Sequence, residues 1–301
     1  MKKLSFLVSL ITDDNDYQRL QAASAEQAAQ RLGADIKVIF AGNDSIRQSE
    51  QLLEAIQSPA SRPSAIVFEP AGTAMAQAAR AATAAGIGWA VLNKEAEYIH
   101  ELRNTCRVPI FSIGSDHNEI GRIQGEQLGA LLPQGGLVLS IQGPAGSAAA
   151  EQRATGMSRM KPVNIELRMI RGNWTKESGY NAASSWLRLS TSRTVPIGAV
   201  ASQNDAMAVG ASKAFEEQSV GEERKRLLGL PFLGCDGVPA TGQTWVRSGL
   251  LAATVITPPN AGLAIEMLAK AITIGTQPPE HTIVSSAGFP TLKELAAKAR
   301  S

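Results

Sequence analysis

The tetrapeptide Asn93-Lys94-Glu95-Ala96 follows the apolar run WAVL and sets an amide, a cation and a carboxylate where a buried strand should emerge. The same event recurs along the chain. TDDNDY (Thr12 to Tyr17) follows the first strand-like run, GPAGSAAAEQR follows the run that ends at Gln142, and Asn173-Trp174 follows the next. Gln203-Asn204-Asp205 and Cys235-Asp236-Gly237 end two more. Carboxylates accept hydrogen bonds, ammonium and guanidinium groups donate them, and amides do both. Gathered on one edge, such groups can bind hydroxyls, and Tyr17 and Trp174 add aromatic faces able to sandwich a small ring. A cleft with a few polar groups and aromatic walls suits a small, hydroxyl-rich molecule.

Each residue also has a plainer reading. Asp or Asn just before a helix is commonly an N-cap. That is the expected role of Asp205, which opens AMAVGASKAF, whereas for Asn15 cap and ligand roles both stand. Asp13 and Asp16 read as solvated loop residues, and Glu69 and Asp116 as caps or hinge residues. Trp174 begins a helical stretch, where an indole without a partner would be odd, so ligand stacking is expected. Trp186 and Trp245 read as packing and Trp89 as core. Glu151 and Arg153 cannot both point the same way from one helix, so one of them faces the cleft.

The elements that must position these residues alternate in type. Strand-like runs are LSFLVSLI from Leu4, DIKVIF from Asp35, AIVFE from Ala65, WAVLN from Trp89 and PIFSIG from Pro109. LVLSIQG from Leu137, IELRMI from Ile165, IGAVAS from Ile197, LPFLGCD from Leu230, LAATVIT from Leu251 and TIVSS from Thr282 continue the series. Between them lie Ala-rich stretches such as RLQAASAEQAAQRLG and AMAQAARAATAAG, with apolar residues at helical spacing and a closing Gly. Strands apolar throughout imply burial on both faces, and βα alternation implies parallel sheets covered by helices. The fold class is therefore α/β. Eleven strand-like runs are many for one open sheet, so two sheets are expected, with the break near Ile113 to Asp116. Ligands of open parallel sheets gather at the carboxyl ends of strands, which is where the polar residues above fall.

Composition narrows the function. The 301 residues carry 19% charged residues and a net charge of +2, without the clustered cations that phosphate backbones require, so no nucleic-acid partner is expected. ERKR at Glu223 to Arg226 reads as a mixed, solvated turn. No apolar run reaches the ~18 residues of a membrane span. MKKLSFLVSLI imitates a short secretion signal, but TDDND follows at once, and a first β-strand is the preferred reading. Cys106 and Cys235 form no CxxC and read as free, packed thiols; His100, His117 and His281 show no metal-ligand spacing. GIG at Gly86 to Gly88 lacks the third glycine of a dinucleotide fingerprint, and GPAGSAAAE lacks the lysine of a phosphate loop. Asp14 and Asp236 could imitate a glycosidase's two carboxyls, yet binding proteins use the same groups for hydroxyls. No catalytic residue, metal or cofactor is therefore expected.

VLNKEA, IGSDHNEIGRIQGEQL, the Trp174…Trp186-Leu187 spacing, SQNDAMAVGA, FLGCDG and SGLLAATV, in this order, carry a resemblance over almost the whole chain. The sequence resembles the periplasmic sugar-binding proteins of the ribose- and galactose-binding type, which serve ABC transporters. It is also similar to the ligand domains of lactose-repressor-like regulators. The resemblance implies ligand contacts from Asp14, Asn93, Arg153, Asn204 and Asp236, with ring stacking by Tyr17 and Trp174. Asn15, Lys94 and Thr257 complete the candidate set, although Lys94 and Glu95 can equally be scaffold behind Asn93. The galactose branch has a His and an Asp ahead of the arginine where this chain has Ser147 and Ala149, and an Asn where it has Thr257. Those departures argue against glucose or galactose. LLPQGGL lacks the carboxylates of the calcium loop found in some relatives.

The fold so implied has two doubly wound parallel-sheet lobes joined by a three-strand hinge, residues 1–113 with 258–284 and 114–257 with 285–301. Crossings are expected near Ile113 to Ser115, Ile256 to Pro258 and Val284 to Ser286. The implied function is hinge closure on a sugar or sugar-like polyol and delivery to an ABC permease by a monomer that does not insert in the membrane. Location would be periplasmic or otherwise extracytoplasmic, with the native signal peptide absent from this sequence. Presentation of the bound sugar to a sensor kinase or chemoreceptor ectodomain is the alternative. A regulator's effector domain is a further one, for which Met1 to Lys3 leave no room for a helix-turn-helix.

Overall fold

The computed structural model describes residues 3–72, 75–190 and 196–298. In chain order its elements are β1 (Ser5–Leu10), α1 (Asp16–Leu32), β2 (Asp35–Phe40), α2 (Ser45–Gln57), β3 (Ala65–Phe68), α3 (Ala76–Ala84), β4 (Gly88–Leu92), α4 (Tyr98–Thr105) and β5 (Ile110–Ser115). There follow α5 (His117–Leu131), β6 (Gly136–Gln142), α6 (Ala148–Met160), β7 (Ile165–Arg171), α7 (Lys176–Leu187), β8 (Ile197–Ser202), α8 (Asp205–Gln218) and α9 (Gly221–Leu228). The chain ends with β9 (Phe232–Leu233), α10 (Gly242–Arg247), β10 (Thr254–Ile256), α11 (Ala261–Ile274), β11 (His281–Val284), β12 (Ala287–Phe289) and α12 (Leu292–Lys298). Ala74, the first residue of the second Ala-rich stretch, lies outside the described residues.

Two compact units emerge, Met1–Ser115 with Pro259–Val284 and Asp116–Pro258 with Ser285–Ser301, so the chain passes between them three times. The first unit holds a six-stranded sheet in the order β11-β5-β4-β3-β1-β2, and each pairing is parallel. Its inner strands β3 and β4 are apolar on both faces because both are covered, whereas the edge strands β2 and β11 carry polar residues. Along β4, Ala90 and Leu92 join the core beneath α1 and α11, while Trp89 and Val91 join the core beneath α2, α3 and α4. Alanines on the inner face of α1 leave it close to the sheet. Gly33 ends that helix in the left-handed conformation, as the closing Gly of the stretch suggested.

The second unit holds a parallel sheet in the order β7-β6-β8-β9 and a separate antiparallel pair, β10-β12. Val138 of β6 faces one core and Leu139 and Ile141 the other. The α/β reading with two parallel sheets holds, and all eleven strand-like runs contain strands. β12 was missed, because AGF is three residues long and carries no alternation. ERKR is not a turn: it lies in α9, where Lys225 pairs with Glu222 and Arg226 with Glu223 one helical turn apart. Trp186 packs against Phe215, and Trp89 is fully buried, as read. Among the described residues, no helix is long and apolar enough to cross a membrane.

Candidate ligand-binding site

In the first unit the candidate residues follow β1 and β4. Asn15 is the N-cap of α1: its side chain accepts from the amides of Tyr17, at 2.8 Å, and Gln18, at 3.3 Å. The Asp14 carboxylate accepts from the Thr12 hydroxyl. The Tyr17 ring is largely buried, and its hydroxyl accepts from Gln21 Nε2 at 3.1 Å. Asn93 sits directly after β4 with φ +54°, a left-handed backbone that seldom suits residues other than glycine. Gly114 of β5 leaves room for it, since a Cβ there would lie 2.9 Å from the Asn93 Cα. Asn93 Nδ2 donates to Glu69 Oε1 at 3.1 Å, and its Oδ1 accepts from Asn260 Nδ2 at 2.7 Å. The Lys94 ammonium donates to the Gly72 carbonyl at 3.1 Å, and burial lowers its pKa below the usual lysine value. Glu95 lies 3.4 Å from His281 Nε2.

The second unit gathers its candidates after β6, β7, β8 and β9. Trp174 has φ +64° and lies just before α7, whose N-cap is Thr175, so it precedes the helix it was read as beginning. Its indole lies against Gly143, at which a Cβ would come within 2.2 Å of the ring; this is the first glycine of GPAG. Arg153, on α6, is buried, whereas Glu151 is exposed, so the helix does turn one of that pair inward. The Arg153 guanidinium carbon stands 5.6 Å from the Trp174 ring centroid, within cation–π range. The guanidinium also donates to the Gln203 carbonyl at 2.5 Å and to His117 Nδ1 at 3.4 Å. Asn204 caps α8 by accepting from the Met207 amide at 2.9 Å, and its Nδ2 donates to the Trp174 carbonyl at 2.7 Å. Asp236 has φ +109°, and its carbonyl accepts from the Thr257 amide at 3.0 Å. The Thr257 hydroxyl is buried 3.6 Å from Cys235 Sγ, and burial pushes that thiol up to about 12. Cys106 and Cys235 are both free thiols, as read.

Two assignments need correction. Asp205 is not the cap of α8. Its buried carboxylate accepts from the Gly237 amide at 2.8 Å and from the Thr254 hydroxyl at 2.7 Å, tying the segments after β9 to the start of β10. Glu69 is neither cap nor hinge residue: its side chain holds Asn93 and, at 2.8 Å, Gln18 Nε2. Sequence reasoning also passed over Gln18, Gln21 and Gln48. A signal was present, because all three are polar residues on helix faces that are otherwise apolar, and buried amides require partners. Asp116 behaves as the cap it was read to be, accepting from the Glu119 amide at 3.0 Å.

Comparison with known proteins places the chain among relatives of known fold. The profile of the periplasmic binding protein domain matches residues 6–277. A D-apiose import binding protein of Actinobacillus succinogenes is 24% identical over 84% of this chain and 76% of that protein. The ribose import binding protein RbsB of Salmonella typhimurium is 26% identical over 86% of this chain and 81% of its own. Among solved structures, a periplasmic solute-binding protein of an ABC transporter from A. succinogenes, with bound D-allose, superposes with a TM-score of 0.82 at 22% identity. That superposition covers 98% of this chain and 100% of the other. With the match spanning nearly its whole length, the chain belongs to the periplasmic binding protein family.

Proposed function

We propose that this protein binds a sugar or sugar-like polyol and delivers it to an ABC-transporter permease outside the cytoplasm. The observation that supports this reading most is one of backbone strain. Among the described residues, non-glycine left-handed backbones occur at Asn43, Asn93, Trp174 and Asp236, and three of these four are strand-end candidates. Such conformations cost about 1–3 kcal/mol each and persist where the surrounding structure enforces them, commonly at ligand clamps. The enforced groups are an amide, an indole and a carboxylate, the set that suits a neutral polyhydroxylated ring. The relatives' names, which specify apiose and ribose import, point the same way. In this reading the ligand contacts are Asp14, Tyr17, Asn93, Arg153, Trp174, Asn204 and Asp236, with Thr257 beside them, and the two units close on the ligand. Asn15 and Lys94 serve the scaffold. The protein works as a monomer and releases its ligand chemically unchanged.

The test is a thermal-shift and calorimetric screen of pentoses, hexoses, furanose-forming sugars and inositols, with amino acids and nucleotides as controls. A ligand that binds only the native state must raise the melting point. The expected result is a shift with one or a few sugars or polyols. Shifts confined to amino acids or nucleotides would refute the ligand class, and recovery of a converted product would refute the binding-only role.

A further inference from the structure

The first unit contains a buried chain of side-chain amides whose direction is fixed at both ends. At one end, Gln21 Oε1 accepts from the backbone amides of Asn260 and Ala261, each at 2.9 Å. A backbone N–H can only donate, so Gln21 must turn its Nε2 outward, and it donates to Asn260 Oδ1 at 2.8 Å. Asn260 then has only its Nδ2 to offer Asn93 Oδ1. At the other end stands Glu69, whose two carboxylate oxygens both accept, one from Gln18 Nε2 and the other from Asn93 Nδ2. An amide is usually free to exchange its oxygen and nitrogen by a flip about its last torsion. For Asn93 that choice is closed from both sides.

Glu69 is itself held firmly. Its backbone N–H donates to the Ser9 carbonyl at 2.9 Å, and its carbonyl accepts from Gln48 Nε2 at 2.8 Å. Gln48 Oε1 is pinned in turn by the Ala71 amide at 2.8 Å. The second carboxylate oxygen accepts from Gln18 Nε2, and Gln18 Oε1 is pinned by the Ile11 amide at 3.0 Å. Gln18, Gln48, Gln21 and Asn260 are all buried. The carboxylate therefore cannot retreat from Asn93 without breaking bonds whose polarity the backbone dictates.

We propose that Glu69 is a positioning residue for ligand recognition: by accepting from Asn93 Nδ2 it fixes which atoms of that amide meet the ligand, and so which hydroxyl pattern is selected. The inference rests on the sugar-binding reading above and adds to it a residue that makes its contribution through Asn93.

The decisive variants are Glu69→Gln, Asn93→Ala and the pair together. Glu69→Gln keeps size and shape but offers one acceptor oxygen to two arriving donors, Asn93 Nδ2 and Gln18 Nε2, so the Asn93 amide loses its firm hold on that side and is steadied by Asn260 alone. With the best sugar of the screen, Glu69→Gln should weaken binding by about tenfold. Discrimination between epimers of that sugar should narrow. In the Asn93→Ala background the same change should have no further effect on the dissociation constant. Unaltered affinity and selectivity in Glu69→Gln, or an equal loss in both backgrounds, would overturn the proposal. A measurement without ligand separates it from the sugar reading. In the NMR spectrum of the free protein, the Asn93 side-chain amide should give one pair of resonances, with one proton shifted by its bond to the carboxylate. Glu69→Gln should remove that shift. If no sugar binds the wild-type chain, the ligand reading fails, and this spectrum decides the role of Glu69 alone; an unchanged spectrum overturns it.

Discussion

At the scale of the single residue, Asn204 shows how one side chain serves both fold and site. Its Oδ1 satisfies an amide at the first turn of α8, and its Nδ2 holds the carbonyl of the left-handed Trp174. Replacing it with Ala removes both bonds, and the expected cost is about 2 kcal/mol, half from the lost cap and half from the lost donor. Asn204→Asp keeps the capping oxygen but loses the donor, so urea unfolding should show a smaller loss of stability. Both variants should release Trp174 and alter its fluorescence by a similar amount. A fluorescence change only in Asn204→Ala would mean that the cap, and not the tether, holds the indole. The residue types at the strand ends were legible in the sequence, because a polar triplet after an apolar run announces itself. Roles that depend on distant partners were not. Asp205 looks like a cap from its neighbours, and only the fold brings Gly237 and Thr254 to its carboxylate. Glu69 was misread for the same reason, since Gln18 and Asn93 approach it from other elements.

Among elements, the closest approaches are made by glycines that no periodicity argument would have singled out. A Cβ on Gly121 of α5 would lie 2.0 Å from the carbonyl oxygen of Arg153 on α6, and one on Gly156 would lie 2.0 Å from that of Asn118. The two helices thus pack backbone to backbone, which sets the height of Arg153 relative to the strand ends. Gly121→Ala should force α5 and α6 apart and cost about 2–3 kcal/mol in urea denaturation, with little change in m. Because the added methyl pushes on the Arg153 carbonyl itself, sugar affinity should fall as well. If stability falls while affinity does not, the helix contact supports the fold without aiming the guanidinium. The IQG motif that carried part of the family resemblance gains a physical meaning here. Gln124, three residues after Gly121, donates from Nε2 to the carbonyls of Ser202 and Gly234, joining the ends of β8 and β9 that lead to Asn204 and Asp236. Strand and helix order was readable because hydrophobic period reports local geometry. Helix-to-helix distance was not, because it depends on which small residues face each other across elements.

For the molecule as a whole, each unit contains a weak acid that burial keeps protonated and that can report on its integrity. Tyr98 lies in the first unit, bonded by Trp89 Nε1 at 3.2 Å, and Cys235 lies in the second. Burial pushes the phenol up to about 12 from its ordinary 10.0, against a smaller opposing effect of the Trp89 bond. It pushes the thiol up to about 12 from 9.0. The direction of the pH effect follows. Below about pH 9 the folded and unfolded chains both hold these protons, and the stabilising contribution is complete. As pH rises towards about 12, the unfolded chain releases protons that the folded chain retains, so each increment favours unfolding until the folded groups also ionise. Alkaline titration should therefore unfold the protein within this window, with Tyr98 forming phenolate only towards its upper end. Half-buried Cys106 should react with a thiol reagent well before Cys235 does. The two reporters also test whether one ligand engages both units. On the proposed reading, a bound sugar stabilises both units, so it should shift the Tyr98 transition and slow the labelling of Cys235 together. A sugar that delays only one of the two events is held by a single unit, and the shared grip proposed for this protein would then be wrong.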